Sequence, residues 1–88
     1  MRTIGSQGSG AGQFNLPTGV ALDGAGNIVV SDRHRVQVLR YSDGSHVRTI
    51  GSEGEGNGQF SNPYGVLIDG QGRIIVSDFG NHRIQVLQ

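Results

Sequence analysis

Two groups of residues have the types that hydrolytic catalysis uses. Ser31, Asp32 and His34 form one, and Ser77, Asp78 and His82 form the other. A hydroxyl nucleophile needs a base within about 3 Å and a third group that orients the base, and each set contains all three groups. A further stretch, "GSEGEGNGQFSNPYG" from Gly51 to Gly65, is rich in glycine. Runs of that kind cradle phosphates when a lysine follows them and a helix N-terminus aims its amides at the ligand.

The elements that would position these residues argue against both chemistries. Arg2–Asp32 laid on Arg48–Asp78 gives 20 identities in 31 positions. The offset then changes from 46 to 48, because "DFGNHRIQVL" has two more residues than "DRHRVQVL", and His34–Leu39 matches His82–Leu87 at five of six positions. The two Ser-Asp-His sets occupy the same place in a repeat, and a group that recurs in every copy belongs to the construction of the copy. Asp78, Asn81 and Arg83 are therefore expected to tie a turn and to bridge to a neighbouring unit through charge-assisted hydrogen bonds. The glycine run also fails as a phosphate loop. The chain has no lysine, "GSGAG" and "GEGNG" miss the G-x-G-x-x-G spacing, and the run leads into a strand pattern. It reads as a connector, with glycines supplying positive φ angles. Phe14 and Phe60 anchor it between units, and Pro17 and Pro63 stiffen the start of the next strand. The three histidines lack ligand spacing and "DGAGN" lacks the alternating carboxylates of a calcium loop, so no metal and no cofactor is expected.

Within one period the local signals are all β. "GVALD" and "NIVVSD" are β-branched runs joined across Gly24-Ala25-Gly26, a hairpin connection. "RVQVLR" puts Val36 and Val38 on one face and Gln37 and Leu39 on the other. "YSDGS" supplies an Asp-Gly turn, and "HVRTIG" is a fourth strand. The second period repeats three of these as "GVLID", "RIIVSD" and "HRIQVLQ". No segment has a 3.6-residue apolar period, so no helix is expected. A period of about 40–50 residues with four short antiparallel strands is the pattern of a β-propeller blade.

The motifs Gly-Gln-Phe-x-x-Pro-x-Gly-Val, Asp-Gly-x-Gly-x-Ile-x-Val-Ser-Asp and Asn-x-Arg-Ile-Gln-Val run from Gly58 to Val86. They resemble the NHL repeat, the blade unit of NHL β-propellers. The first copy departs from the pattern around Arg33, where two residues and the counterpart of Asn81 are missing. The resemblance implies an all-β fold of two four-stranded antiparallel blades, the first over about 18–51 and the second over about 64–88. It implies six blades in the closed ring, which favours a homotrimer. Protein–protein interaction is its commonest role and enzymatic activity is not implied. An NHL-like propeller does form an amidating lyase, but that chemistry needs metal-binding histidines from several blades. A second alternative, single-stranded RNA binding, needs a basic, aromatic surface.

Composition weighs against that surface. The formal charge is zero, all seven basic residues are arginine, and no cysteine is present. No apolar run approaches the roughly 20 residues of a membrane span and no signal peptide opens the chain, so no membrane partner is expected and a cytoplasmic location is favoured. Function in a repeat protein is sought where the copies differ. Gln7/Glu53, Ser9/Glu55, Ala11/Asn57, Leu16/Asn62, Thr18/Tyr64 and Arg33/Phe79 differ, and a meander puts them on one end of the blade. Tyr64, Phe79, Glu53, Glu55 and Arg33 are the expected protein- or peptide-binding face, with the aromatics as anchors. The chain itself is the other expected partner. Two blades leave two apolar faces, whereas roughly three stacked repeats are needed for stability. "RTIG" at 2–5 duplicates the fourth strand, so Arg2–Gly5 of one chain is expected to complete the second blade of its neighbour, with Ile4 in that blade's core. Such a chain reads as a fragment or engineered unit of a propeller, with assembly alone, and no ligand, as the plainest alternative.

Overall fold

Alternation of apolar and small or polar residues along short strands produces two antiparallel sheets. The computed structural model describes residues 3–87. The first sheet has four strands in meander order, β1 (Gly19–Leu22), β2 (Asn27–Asp32), β3 (Arg35–Arg40) and β4 (His46–Ile50). The second has three, β5 (Pro63–Ile68), β6 (Ile74–Asp78) and β7 (Arg83–Leu87). β1–β2 and β5–β6 turn through the same device. Asp23 Oδ1 accepts the amides of Ala25 and Asn27, and Asp69 Oδ1 those of Gln71 and Arg73. Gly24, Gly26 and Gly72 take positive φ there, which an L side chain adopts only with strain.

Side chains two apart share a face, and that period decides what is buried. Val29, Val36 and Val38 of the first sheet meet Phe60, Val66, Ile74 and Val76, with Ala21, Ile50, Ile68 and Leu87 packed around them. The core is therefore the seam between the sheets, and β5 lies against β1 and β2 across it. The outward positions of the same strands remain exposed. On the first sheet these include Val20 and Leu22, and on the second Leu67, Ile84 and Val86. Among the described residues β7 pairs with β6 alone.

The structure corrects one expectation of local structure. Phe79–Asn81 forms a single 3₁₀ turn, closed by His82 in the left-handed region (φ 56°). A three-residue turn of this type is too short to leave a helical apolar period in the sequence. The first sheet, two residues shorter at that place, makes the same reversal with Arg33 and His34 alone.

Candidate functional site

The glycine-rich connectors fold over one end of each sheet and are fixed there by side chains of the strands. Phe60 is fully buried in the seam, and its ring lies where a Cβ on Gly51 (φ 88°) would stand, so only glycine fits position 51. The connector closes on itself through Phe60 N–H to Ser52 O, 2.8 Å, and Gln59 N–H to Gly56 O, 3.0 Å. Gln85 then clamps it to β7, accepting from Gly58 N at 3.0 Å and donating to Gln59 O at 2.7 Å. Gln37 does the same in the first sheet, accepting from Gly12 N at 3.0 Å and donating to Gln13 O at 2.5 Å. These glutamines are construction residues that the sequence reading passed over. Their signal was a polar residue held at one position of an otherwise apolar strand in both copies.

Asp78 is buried and central to the second turn. Its Oδ1 accepts from Ser61 N–H at 2.8 Å, and its Oδ2 from Asn81 Nδ2 at 2.9 Å and Arg83 Nε at 3.1 Å. Arg83 spends its remaining donors on the connector carbonyls of Glu55, Gly56 and Gln59, each at 2.8 Å. Asn81 Nδ2 also reaches Gly54 O at 2.7 Å. The expected bridge to a neighbouring blade is thus corrected: the network ties each turn to the connector entering its own blade. The physical reason is that the looped connector turns a row of carbonyls toward the start of β7, and a guanidinium fork satisfies several at once. The tie across the seam is Thr18, whose Oγ1 donates to Pro63 O at 2.6 Å and lies 3.0 Å from Ser31 Oγ.

Asp78 carries a pH dependence. Burial pushes its carboxyl up, but the Ser61 amide, Asn81 and Arg83 outweigh burial and hold it below the ordinary aspartate value of 3.8. A carboxyl depressed in the folded state contributes stability that is complete above its unfolded value and is lost as pH falls through the folded value. Asp69, held low by the Arg73 amide and side chain, titrates in the same acid window. Thermal melts from pH 7 down to 2 should therefore show falling stability below about pH 4. Asp78→Asn should lower the melting temperature at pH 7 and flatten that acid limb without abolishing it. An unchanged acid limb would mean that Asp78 is not held low.

The residues expected to form a binding face divide into separate spots. Tyr64 and Phe79 are 65% and 69% exposed, and their rings touch, centroids 6.2 Å apart and tilted by 45°. Gly80 fixes the turn beneath Phe79, because its N–H donates to Ser61 O at 2.7 Å and a Cβ there would overlap Ser61. Glu55 borders a recess with Asn81, His82 and Arg83. Arg33 and Glu53 line a different cleft, beside His34. Phe14 is half-buried, and Ile4 is half-buried against the position of Gly44 in its own chain. Arg2 of the expected exchanged strand, with Met1 and Gln88, lies outside the described residues.

Among the described residues no nucleophile, base and orienting group are seen hydrogen-bonded together. Ser31 Oγ meets Thr18, and both aspartates are engaged with arginines. Among the described residues no group of three or more His, Asp or Glu is placed to hold a metal ion, and no helix is long and apolar enough to cross a membrane. Meander sheets packed face to face, with looped connectors clamped by Asp-Arg pairs, define a propeller-type repeat protein. The NHL repeat model matches residues 14–41 and 60–87, more than half of the chain, and the chain belongs to the NHL repeat family. NHL repeats generally mediate protein interaction. A comparison with curated proteins gave no match.

Proposed function

We propose that these 88 residues form a non-enzymatic, self-associating propeller module, with a protein- or peptide-binding face at the connector end. One observation carries the assembly. The outer face of each sheet repeats the inner face of the other. Leu67, Ile84 and Val86 stand where Ala21, Val36 and Val38 stand in the first copy, and Val20 and Leu22 stand where Val66 and Ile68 stand in the second. A second copy would therefore cover Leu67, Ile84 and Val86 with its Val20 and Leu22, by the contact already made within one chain. That contact is head-to-tail and closes by rotation. If the first blade's register, Val36 opposite Ile50, repeats at that interface, a partner's Ile4 would lie opposite Ile84. Gly5 supports this path. Like Gly51 it has positive φ, 95° against 88°, and it faces Phe14 as Gly51 faces Phe60.

Native mass spectrometry and light scattering on the 88-residue chain test the assembly. A closed trimer of six blades is expected, and a stable, folded monomer would refute self-association. The face has its own test. Tyr64→Ala and Phe79→Ala should each leave stability within about 0.5 kcal/mol, since both side chains are exposed. Each should weaken a bound peptide by a hot-spot amount, roughly 2 kcal/mol or more. Stability losses of about 3–5 kcal/mol in both variants would reassign the rings to packing.

A further inference from the structure

The two blades differ where the second strand turns into the third, and a recess adjoins that turn in each. In the second blade the Asn81 amide joins the turn to the connector through Gly54 O and to Asp78. The first blade has two residues fewer and nothing in Asn81's place. Beside the first blade's shorter turn lies a cleft of about 420 Å³ lined by Ser9, Asn15, Arg33, His34, Ser52 and Glu53, which is the size of small-molecule sites. All six belong to one chain, so the cleft does not depend on assembly.

Its polar groups are unevenly satisfied. Asp32 and Arg35 pair at 3.1 Å, and Arg35 is further held by the carbonyls of Ser9, Gly10 and Gln13. Arg33, by contrast, is exposed and its guanidinium makes no ion pair or hydrogen bond among the described residues. Glu53, whose side chain is 72% exposed, faces His34 Nε2 at 3.7 Å. His34 Nδ1 is buried with no partner among the described residues, the condition of a group that a water or ligand completes. With the ring proton on Nε2, toward Glu53, Nδ1 is a bare acceptor.

The copy-to-copy changes point the same way. Where the second blade has Glu55 and Phe79, the first has Ser9 and Arg33, so an acid is lost and a cation gained at the cleft. Glu53 adds a carboxylate to the same lining. A simple anion would meet Glu53, and a simple cation would meet Arg33. We infer that this cleft binds a small zwitterion of the amino-acid type. Its carboxylate pairs with Arg33 in a charge-assisted hydrogen bond, and its ammonium donates to Glu53, beside His34.

The test is a titration of the 88-residue protein, followed by backbone amide NMR, with L-alanine, acetate, trimethylglycine and inorganic phosphate as probes. Alanine should shift the amides of Arg33, His34 and Glu53 to saturation. Acetate and trimethylglycine, which lack ammonium N–H donors, should bind at least about tenfold more weakly. Arg33→Gln and Glu53→Gln should each weaken alanine by about tenfold with the melting temperature unchanged. Replacing Arg33 by Phe-Gly-Asn, the second blade's own turn, should abolish binding while keeping the fold. Failure of alanine to saturate, an undiminished response in Arg33→Gln, or phosphate binding as tightly as alanine would each overturn the inference. None of these outcomes bears on self-association or on the Tyr64–Phe79 pair.

Discussion

Phe60→Ala is expected to cost about 3–5 kcal/mol, the range for an aromatic removed from a closed core. Phe60 has no exposed surface, and it stands in the seam among Val29, Val36, Val66 and Val76. It also fixes the connector, whose bend at Gly51 is shaped around its ring. Folded domains have only about 5–15 kcal/mol in hand, so the variant should be marginal or unfolded at room temperature. Urea denaturation checks this, and a loss below about 1 kcal/mol would mean that the seam is not the core. Phe14 supplies the comparison. It holds the matching place ahead of the first blade but is half-buried within one chain. If a second copy closes over it, the cost of Phe14→Ala should grow with protein concentration, whereas the cost of Phe60→Ala should not.

Deleting Met1–Ser6 is expected to abolish assembly. Termini are usually dispensable, so a large effect here would be diagnostic. Under the proposal the segment contributes a strand to another copy, where Ile4 would face Ile84. Loss of one buried isoleucine to alanine costs about 2–5 kcal/mol, and deletion removes backbone hydrogen bonds as well. Ile4 also packs near Gly44 of its own chain, and Gly5 against Phe14. Two measurements therefore separate the effects. Lost intrachain packing lowers the melting temperature equally at all concentrations, while lost strand exchange reduces the mass and removes the concentration dependence. A truncated chain with the same mass and melting temperature would exclude the exchanged strand.

Much of the repeat was legible before any coordinates, because its signals are local. Side chains alternate across a strand with a period of two, so Val36 and Val38 had to share a face, and they share the seam. Asp-Gly sequences close turns through contacts within four residues, as Asp23 and Asp69 do. The motif from Gly58 to Val86 carried the family, and the NHL model matches there. The 3₁₀ turn at Phe79 was not legible, since one turn leaves no periodicity. Nor was the destination of Arg83. A side chain that meets carbonyls 24 to 28 residues away depends on how the connector loops, which no spacing encodes.

The candidate sites divide along the same line. The sequence determined that Arg33 and Phe79 differ between copies, that a deletion adjoins Arg33, and that the glycine run lacks the lysine of a phosphate loop. Tertiary structure alone decided that Tyr64 and Phe79 touch while remaining exposed, and that Glu53, 20 residues beyond Arg33 in sequence, lines the same cleft. It also decided that Thr18 ties the seam through Pro63 O. Backbone conformation and facing are set by near neighbours through sterics and the strand period. Pairings between distant residues are set by the burial of Phe60 and the valines, which fixes where each connector must lie.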